Sequence, residues 1–140
     1  MELLIEYLKG EAMKSHVTFK HASALFCNKN VYSIGINKYI FNKKLNYFST
    51  IHSEISAINI FKNTKKHNLD ILIIRIDKNK KLQMSKPCYH CLLKLKLKNI
   101  RNVYYSDGSS IICEKLNDMT STHISSSEKF KAKLLNPKQN

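Results

Sequence analysis

The chain of 140 residues has no apolar run longer than four, as at residues 71–74, whereas a bilayer-spanning helix needs roughly 20. Its acidic start, Met1-Glu2, is unlike a secretory signal. We therefore expect a soluble, intracellular protein, in the cytoplasm of a cell or of its host, with no membrane partner. Proline is confined to Pro87 and Pro137, and arginine to Arg75 and Arg101. Acidic residues are also few, 10 against 24 basic ones, which leaves a formal charge of +14 carried almost wholly by lysine. A basic surface attracts phosphates, but the guanidinium forks that read them best are nearly absent. Lysine, asparagine and isoleucine also share A/T-rich codons, so a base-composition bias would give the same excess. Nucleic acid is thus a second-choice partner, behind a small molecule.

With 43% hydrophobic residues, the chain can bury one core. We expect a single domain, with residues 1–116 as its body and 117–140 as a basic extension carrying a short helix. Four cysteines are present. In a reducing compartment they stay thiols, free to bind metal or pack. Cys27 and Cys113 lie in apolar, strand-like runs, where free cysteine packs well, so we expect both in the core.

Residues 3–14 carry Leu4, Tyr7 and Leu8 at helical spacing. Two apolar segments follow, 22–27 and 31–36, parted by Asn28-Lys29-Asn30 as in a hairpin. Residues 37–49 are polar, aromatic and basic without a period, the pattern of a loop. Thr50 then caps an expected helix whose buried face is Ile51, Ile55, Ile58 and Phe61, fraying at 63–68. The nearly continuous β-branched run 70–76 reads as a central strand covered on both sides. Leucine and lysine in 92–98 fit either period, and propensity favours a helix beginning near Cys88. Strands at 103–106 and 110–113 follow, joined at Asp107-Gly108. Ser125 and Glu128 form a capping box for a last helix, ended by Pro137, that would dock Phe130 and Leu134, leaving residues beyond Pro137 mobile. This order predicts an α/β sandwich with a mixed sheet and chemistry at strand-to-helix junctions.

Two fragments fall at such junctions, His52-Ser53-Glu54 and Pro87-Cys88-Tyr89-His90-Cys91. One imidazole and two thiolates fill three positions of a tetrahedral Zn²⁺ and leave the fourth for water. Helix starts favour the thiolate form of Cys88 and Cys91. Residues two apart on a regular helix point nearly opposite ways, so His52 and Glu54 share a site only if that turn is irregular. A thioredoxin-like redox site would want a cis-proline nearby, and the only other proline is Pro137. A zinc ribbon would need a second close ligand pair, which Cys27 and Cys113 do not form.

Together the fragments resemble the H-x-E and P-C-x-x-C signature of the zinc-dependent cytidine deaminase superfamily. The resemblance runs over about residues 22–106. It implies a three-layer sandwich, a mixed five-stranded sheet with helices on both faces. It further implies Zn²⁺ on His52, Cys88 and Cys91, and Glu54 as the catalytic proton carrier. Gly35-Ile36-Asn37 is similar to the family's G-x-N, which makes Asn37 a substrate binder, with a turn residue as the alternative. Ala22, beside Ala24, would line the pocket floor, with Ser53, Pro87 and Lys38 as further substrate contacts. The family's usual H-A-E is H-S-E here. Phe41, Tyr47 and Phe48 with Lys38, Lys43 and Lys44 could stack on a base and hold a phosphate, or form a solvated loop edge. Tyr89 and His90 are expected in an exposed loop role, with competition for the metal as the alternative for His90.

Members of that superfamily act on free bases, nucleosides, mononucleotides or polynucleotides. The G-x-N feature and Val103-Tyr104-Tyr105 most resemble the deoxycytidylate-type and tRNA-adenosine-type branch, so deoxycytidylate leads and a base within RNA or DNA follows. A zinc-stabilised binding or assembly module without turnover is the other alternative, and such a site would not need Glu54. Relatives of this kind commonly assemble, so a homo-oligomer is expected.

Overall fold

At the centre of the computed structural model lies β5, Asp70–Ile76, a strand with helices on both of its faces. The structure describes residues 1–62 and 68–135, less the side chains of residues 126, 127, 130 and 131. Alternation along the strand divides its side chains between two cores. Ile71 and Ile73 face one core, Leu72, Ile74 and Ile76 the other.

Antiparallel to β5 runs β1, Lys20–Cys27, which pairs in turn with β2, Asn30–Ile36. The turn between β1 and β2 places Asn28 at φ 55°, a left-handed conformation that asparagine tolerates. On the other side, parallel to β5, lies β7, Asn102–Ser106, followed by the edge strand β8, Ile111–Lys115. The order β2-β1-β5-β7-β8 is the expected five-stranded mixed sheet. A sixth strand not expected from the sequence, the two-residue β6 at Leu82–Gln83, pairs with the end of β5.

Helix α1, Glu2–Ala12, covers one face with Leu8 and Ala12, supported by Leu4 and Ile5, while Tyr7 stays exposed. The other face carries α2, Ser53–Ile60, through Ala57 and Ile58, and α3, Tyr89–Leu97, through Leu92 and Leu95. The result is the expected three-layer α/β sandwich.

The expected loop at 37–49 is instead a hairpin, β3 at Lys38–Asn42 and β4 at Tyr47–Ile51, forming a separate two-stranded sheet. β3 is exposed almost throughout and β4 is mostly half-buried, so no apolar alternation marks the pair. Its register brings Phe41 against Phe48, with ring centroids 5.1 Å apart. Consequently Thr50 and Ile51 belong to a strand, and His52 takes the N-cap position given above to Thr50. The fraying expected at 63–68 falls mostly outside the described residues.

Two expected core residues differ. Cys27 is half-buried against the core, but Cys113 is exposed, because the edge strand β8 is mostly uncovered. His90 lies half-buried in the first turn of α3 rather than in a loop, while Tyr89 beside it is exposed. The last helix forms as α4, Ser126–Leu135, with the Glu128 N–H donating to Ser125 Oγ at 3.3 Å. Leu134, however, is 40% exposed. The extension is held instead by buried Leu116 and Met119 and by the His123 carbonyl, which accepts from the Tyr89 N–H at 2.9 Å. Phe130's side chain and residues beyond Pro137 lie outside those described.

Gly35 on β2 sets how closely α2 approaches the sheet. A Cβ there would stand 2.3 Å from the Ala57 nitrogen and 2.6 Å from the Ser53 carbonyl oxygen, both rigid helix backbone. Ser33 locks the same contact by donating to the Ala57 carbonyl at 2.8 Å. Gly35→Ala must push α2 outward, and we expect it to destabilise the fold by about 3 kcal/mol and to lower zinc content. Chemical denaturation and elemental analysis check this, and an unchanged midpoint with full zinc would contradict it.

Candidate active site

Helices α2 and α3 start at the same place, and the residue just before each is a potential metal ligand. His52 is the N-cap of α2, with φ −73° and ψ 154°. Cys88 is the N-cap of α3, with φ −72° and ψ 168°. Extended backbone at His52 resolves the direction problem raised by H-x-E, since the imidazole leaves before the helix begins while Glu54 projects from its first turn. Cys91 lies one turn into α3, where its sulfur returns beside Cys88.

The three donor atoms lie within 4.8 Å of one another. His52 Nδ1 is 3.1 Å from Cys91 Sγ and 3.6 Å from Cys88 Sγ. One imidazole and two sulfurs on a rigid frame, with His52 and Cys88 both lining a cavity, fit a catalytic Zn²⁺ with an open fourth position. The electrostatics agree. Hydrogen bonding from Cys91, then from His52, holds the Cys88 thiol down to about 3 despite burial. Cys91 is pushed up, because its proton is shared with the Cys88 sulfur and because it is buried. The hydrogen bond to Cys88 raises His52 above the ordinary imidazole value.

Glu54 is 4% exposed and accepts from Ser53 Oγ at 3.2 Å. Ser53 Oγ in turn lies 2.6 Å from Ser23 Oγ on β1. The serine that departs from H-A-E therefore ties the carboxylate to the sheet. The segment leading to α3 is tied as well: Ser85 donates to the Ile73 carbonyl at 2.8 Å and accepts from the Ser106 N–H at 2.7 Å.

The cavity beside these groups holds about 680 Å³, and its lining includes Glu54, His52, Cys88, Pro87 and Asn37. Asn37 is buried, its Oδ1 accepting from the His21 N–H at 2.9 Å and its Nδ2 donating to the Phe19 carbonyl at 2.6 Å. Of the other expected contacts, Ala22 and Ser53 are fully buried behind the wall, and Lys38 is exposed. None of these three lines the cavity among the described residues. Lys38 departs because it opens β3, which leaves the main sheet.

Several wall residues carried no local signal: Phe19, His21, Met84, Lys86 and, from the extension, Ser121, His123 and Ser125. Arg75 did carry one, a single cation inside a strand otherwise buried on both faces. Burial lowers the His21 pKa, opposed by the nearby Glu54 charge.

A three-layer sandwich with this donor set at two helix starts defines a zinc-dependent deaminase, a hydrolase whose cofactor is Zn²⁺. The chain belongs to the cytidine and deoxycytidylate deaminase family, whose zinc-binding region model matches residues 1–107. Among solved structures it resembles cytidine deaminase from Burkholderia pseudomallei, with TM-score 0.61 and 18% identity over 88% of this chain and 98% of that one. Cytidine deaminase from Mycobacterium tuberculosis gives TM-score 0.57 and 15% identity over 88% and 97%. The dCMP deaminase of cyanophage S-TIM5, in complex with dCMP and dUMP, gives 0.55 and 12% over 74% and 78%. No curated protein sequence matches.

We expect one zinc per chain by elemental analysis, lost in Cys88→Ala and Cys91→Ala and kept in Cys27→Ala and Cys113→Ser. In the metal-free site His52 is raised and the Cys91 thiol is pushed up, so both favour their protonated forms, while Cys88 favours thiolate. Zinc needs both deprotonated, so its uptake should release protons and its affinity should fall as pH falls. Uptake without proton release, or zinc retained in both cysteine variants, would contradict the assignment.

Proposed function

We propose that the protein deaminates a cytosine-type mononucleotide, deoxycytidylate, to the uracil form with release of ammonia. The observation that carries this is the charge of the cavity wall. Among its described residues Glu54 is the only acid, set beside the metal donors, while Arg75 and Lys86 supply positive charge. The cyanophage relative was seen with dCMP and dUMP, which supports a nucleotide. A cavity of about 680 Å³ has room for one.

His52, Cys88 and Cys91 would hold Zn²⁺. Bound there, the metal would supply a Lewis acid that lowers the pKa of a water toward about 7. Glu54 carries the water's first proton to the ring nitrogen, then takes the second from the added hydroxyl and gives it to the departing amine, which leaves as ammonia while the carbon–oxygen double bond forms. The water oxygen becomes the new carbonyl oxygen of the base. Ser53 orients Glu54 for both transfers, and its own anchor on Ser23 limits carboxylate rotation. Asn37 and Pro87 shape the wall that holds the base. Asn37 is held by the Phe19 carbonyl and by the backbone N–H and ring nitrogen of His21, which fixes its amide in the wall, and its Oδ1 keeps one lone pair for substrate.

The extension joins the same unit, since Ser121, His123 and Ser125 close one side of the cavity. We therefore take residues 1–116 and 117–140 as one working domain. A homo-oligomer is part of the proposal, supported by the exposed apolar side chains of Tyr39, Ile40, Phe41 and Phe48 on the hairpin.

The second reading, a base within RNA or DNA, rests on that hairpin too, where Lys38, Lys43 and Lys44 are exposed beside the aromatics. Salt separates the two. A polynucleotide bound through several lysines releases several counterions, whereas a mononucleotide offers one phosphate. Ammonia release should be fastest with deoxycytidylate, slower with deoxycytidine, and only weakly salt-dependent. Oligonucleotides deaminated faster than any mononucleotide, with a steep salt dependence, would overturn the choice.

A further inference from the structure

Arg75 has no obvious structural task. It sits on β5 opposite His21 of β1 and Gln83 of β6, near the end of the strand, and its side chain lines the cavity. Its Cζ lies 4.2 Å over the Phe19 ring centroid, which fixes the guanidinium plane without neutralising it. Its Nε is buried and has no hydrogen-bond partner among the described residues. A buried donor without an acceptor is unfavourable, so the position favours an occupant that brings one. Glu54, the only acid among the described wall residues, is already bonded to Ser53.

His21 is paired with Arg75 in the register of β1 and β5 and lines the same cavity as Glu54 and His52. The cavity wall thus carries two kinds of group, Glu54 with His52 and Cys88, where the base must react, and the guanidinium of Arg75 held over Phe19. A 5′-mononucleotide carries the matching pair, an uncharged base and a phosphate dianion. Lys86, immediately before Pro87, lines the same cavity, whereas Lys38, Lys43 and Lys44 are exposed on the hairpin and outside the described wall.

We propose that Arg75, assisted by Lys86, is the phosphate-recognition point of the site and makes the protein select a 5′-mononucleotide over the nucleoside. This rests on the deaminase reading above. It moves phosphate recognition from the hairpin lysines to a strand within the sheet. Planar N–H donors facing phosphate oxygens form charge-assisted hydrogen bonds that an ammonium at the same place reproduces only in part.

Steady-state kinetics on zinc-loaded wild type, Arg75→Gln, Arg75→Lys and Lys86→Ala, with deoxycytidylate and deoxycytidine, test the assignment. Calorimetric titration with inorganic phosphate reads the subsite without turnover. Arg75→Gln should lower kcat/KM for deoxycytidylate about a hundredfold, mainly through KM. The drop for deoxycytidine should be no more than about threefold. Arg75→Lys should recover part of the loss, Lys86→Ala should lose less than Arg75→Gln, and phosphate binding should weaken in the same order. Equal losses on both substrates in a folded Arg75→Gln protein would show a structural role and overturn the proposal. So would a deoxycytidylate loss that follows Lys43→Ala/Lys44→Ala instead. If wild type deaminates neither substrate yet Arg75→Gln abolishes phosphate binding, the substrate choice has failed and the subsite stands. If wild type deaminates deoxycytidylate but Arg75→Gln binds phosphate as wild type does, the subsite fails and the substrate choice stands.

Discussion

The contact between Gly35 and the backbone of α2 governs where the site can form. Because no Cβ intervenes, the helix lies against β2 at backbone distance, with Ser33 bonded to Ala57. Its first turn is thereby pressed onto the sheet, where Ser53 meets Ser23. His52, just before that turn, is brought to the start of α3 and the two sulfurs. On the other side Ser85 fixes the approach to Cys88 by bonding both β5 and β7. The donor cluster is thus set by backbone packing at two helix starts, a rigid support of the kind metal sites require.

Charge follows from the same geometry. Both cysteines sit at the N-terminus of α3, which favours thiolate there, and the Cys91 N–H bonds directly to Cys88. Glu54 is left as an anion-forming group in a wall that otherwise offers Arg75, Lys86 and histidines. A carboxylate held by a serine in that setting is suited to move protons, while the cations are free for an anionic part of the substrate. The high net charge of the chain contributes little to this, because most of its lysines lie elsewhere.

Much of the donor site was legible because its chemistry is local. His52 and Glu54 lie two residues apart, and Cys88 and Cys91 three, and the folds of the two segments are set by neighbouring residues. β5 was legible for a similar reason, being buried on both faces and so β-branched nearly throughout. The rest of the cavity wall was not. Phe19, His21 and His123 come from a loop, a strand and the extension, and no spacing links them. The β3–β4 hairpin escaped because periodicity reports burial, and neither an exposed strand nor an evenly half-buried one carries an alternation. Cys113 misled for the converse reason: an apolar run marked a strand correctly, but an edge position left it in solvent.

The central claim is that this metal centre turns substrate over through Glu54 and is not a structural zinc site. It is tested most directly by ammonia release from deoxycytidylate, comparing wild type with Glu54→Gln, each shown to carry one zinc and to melt alike. The amide preserves shape and can still accept from Ser53, but it cannot take up and return a proton. We expect the variant to keep its zinc and fold and to lose at least about a hundredfold in kcat. Release of ammonia by Glu54→Gln at the wild-type rate, or by neither protein, would contradict the account.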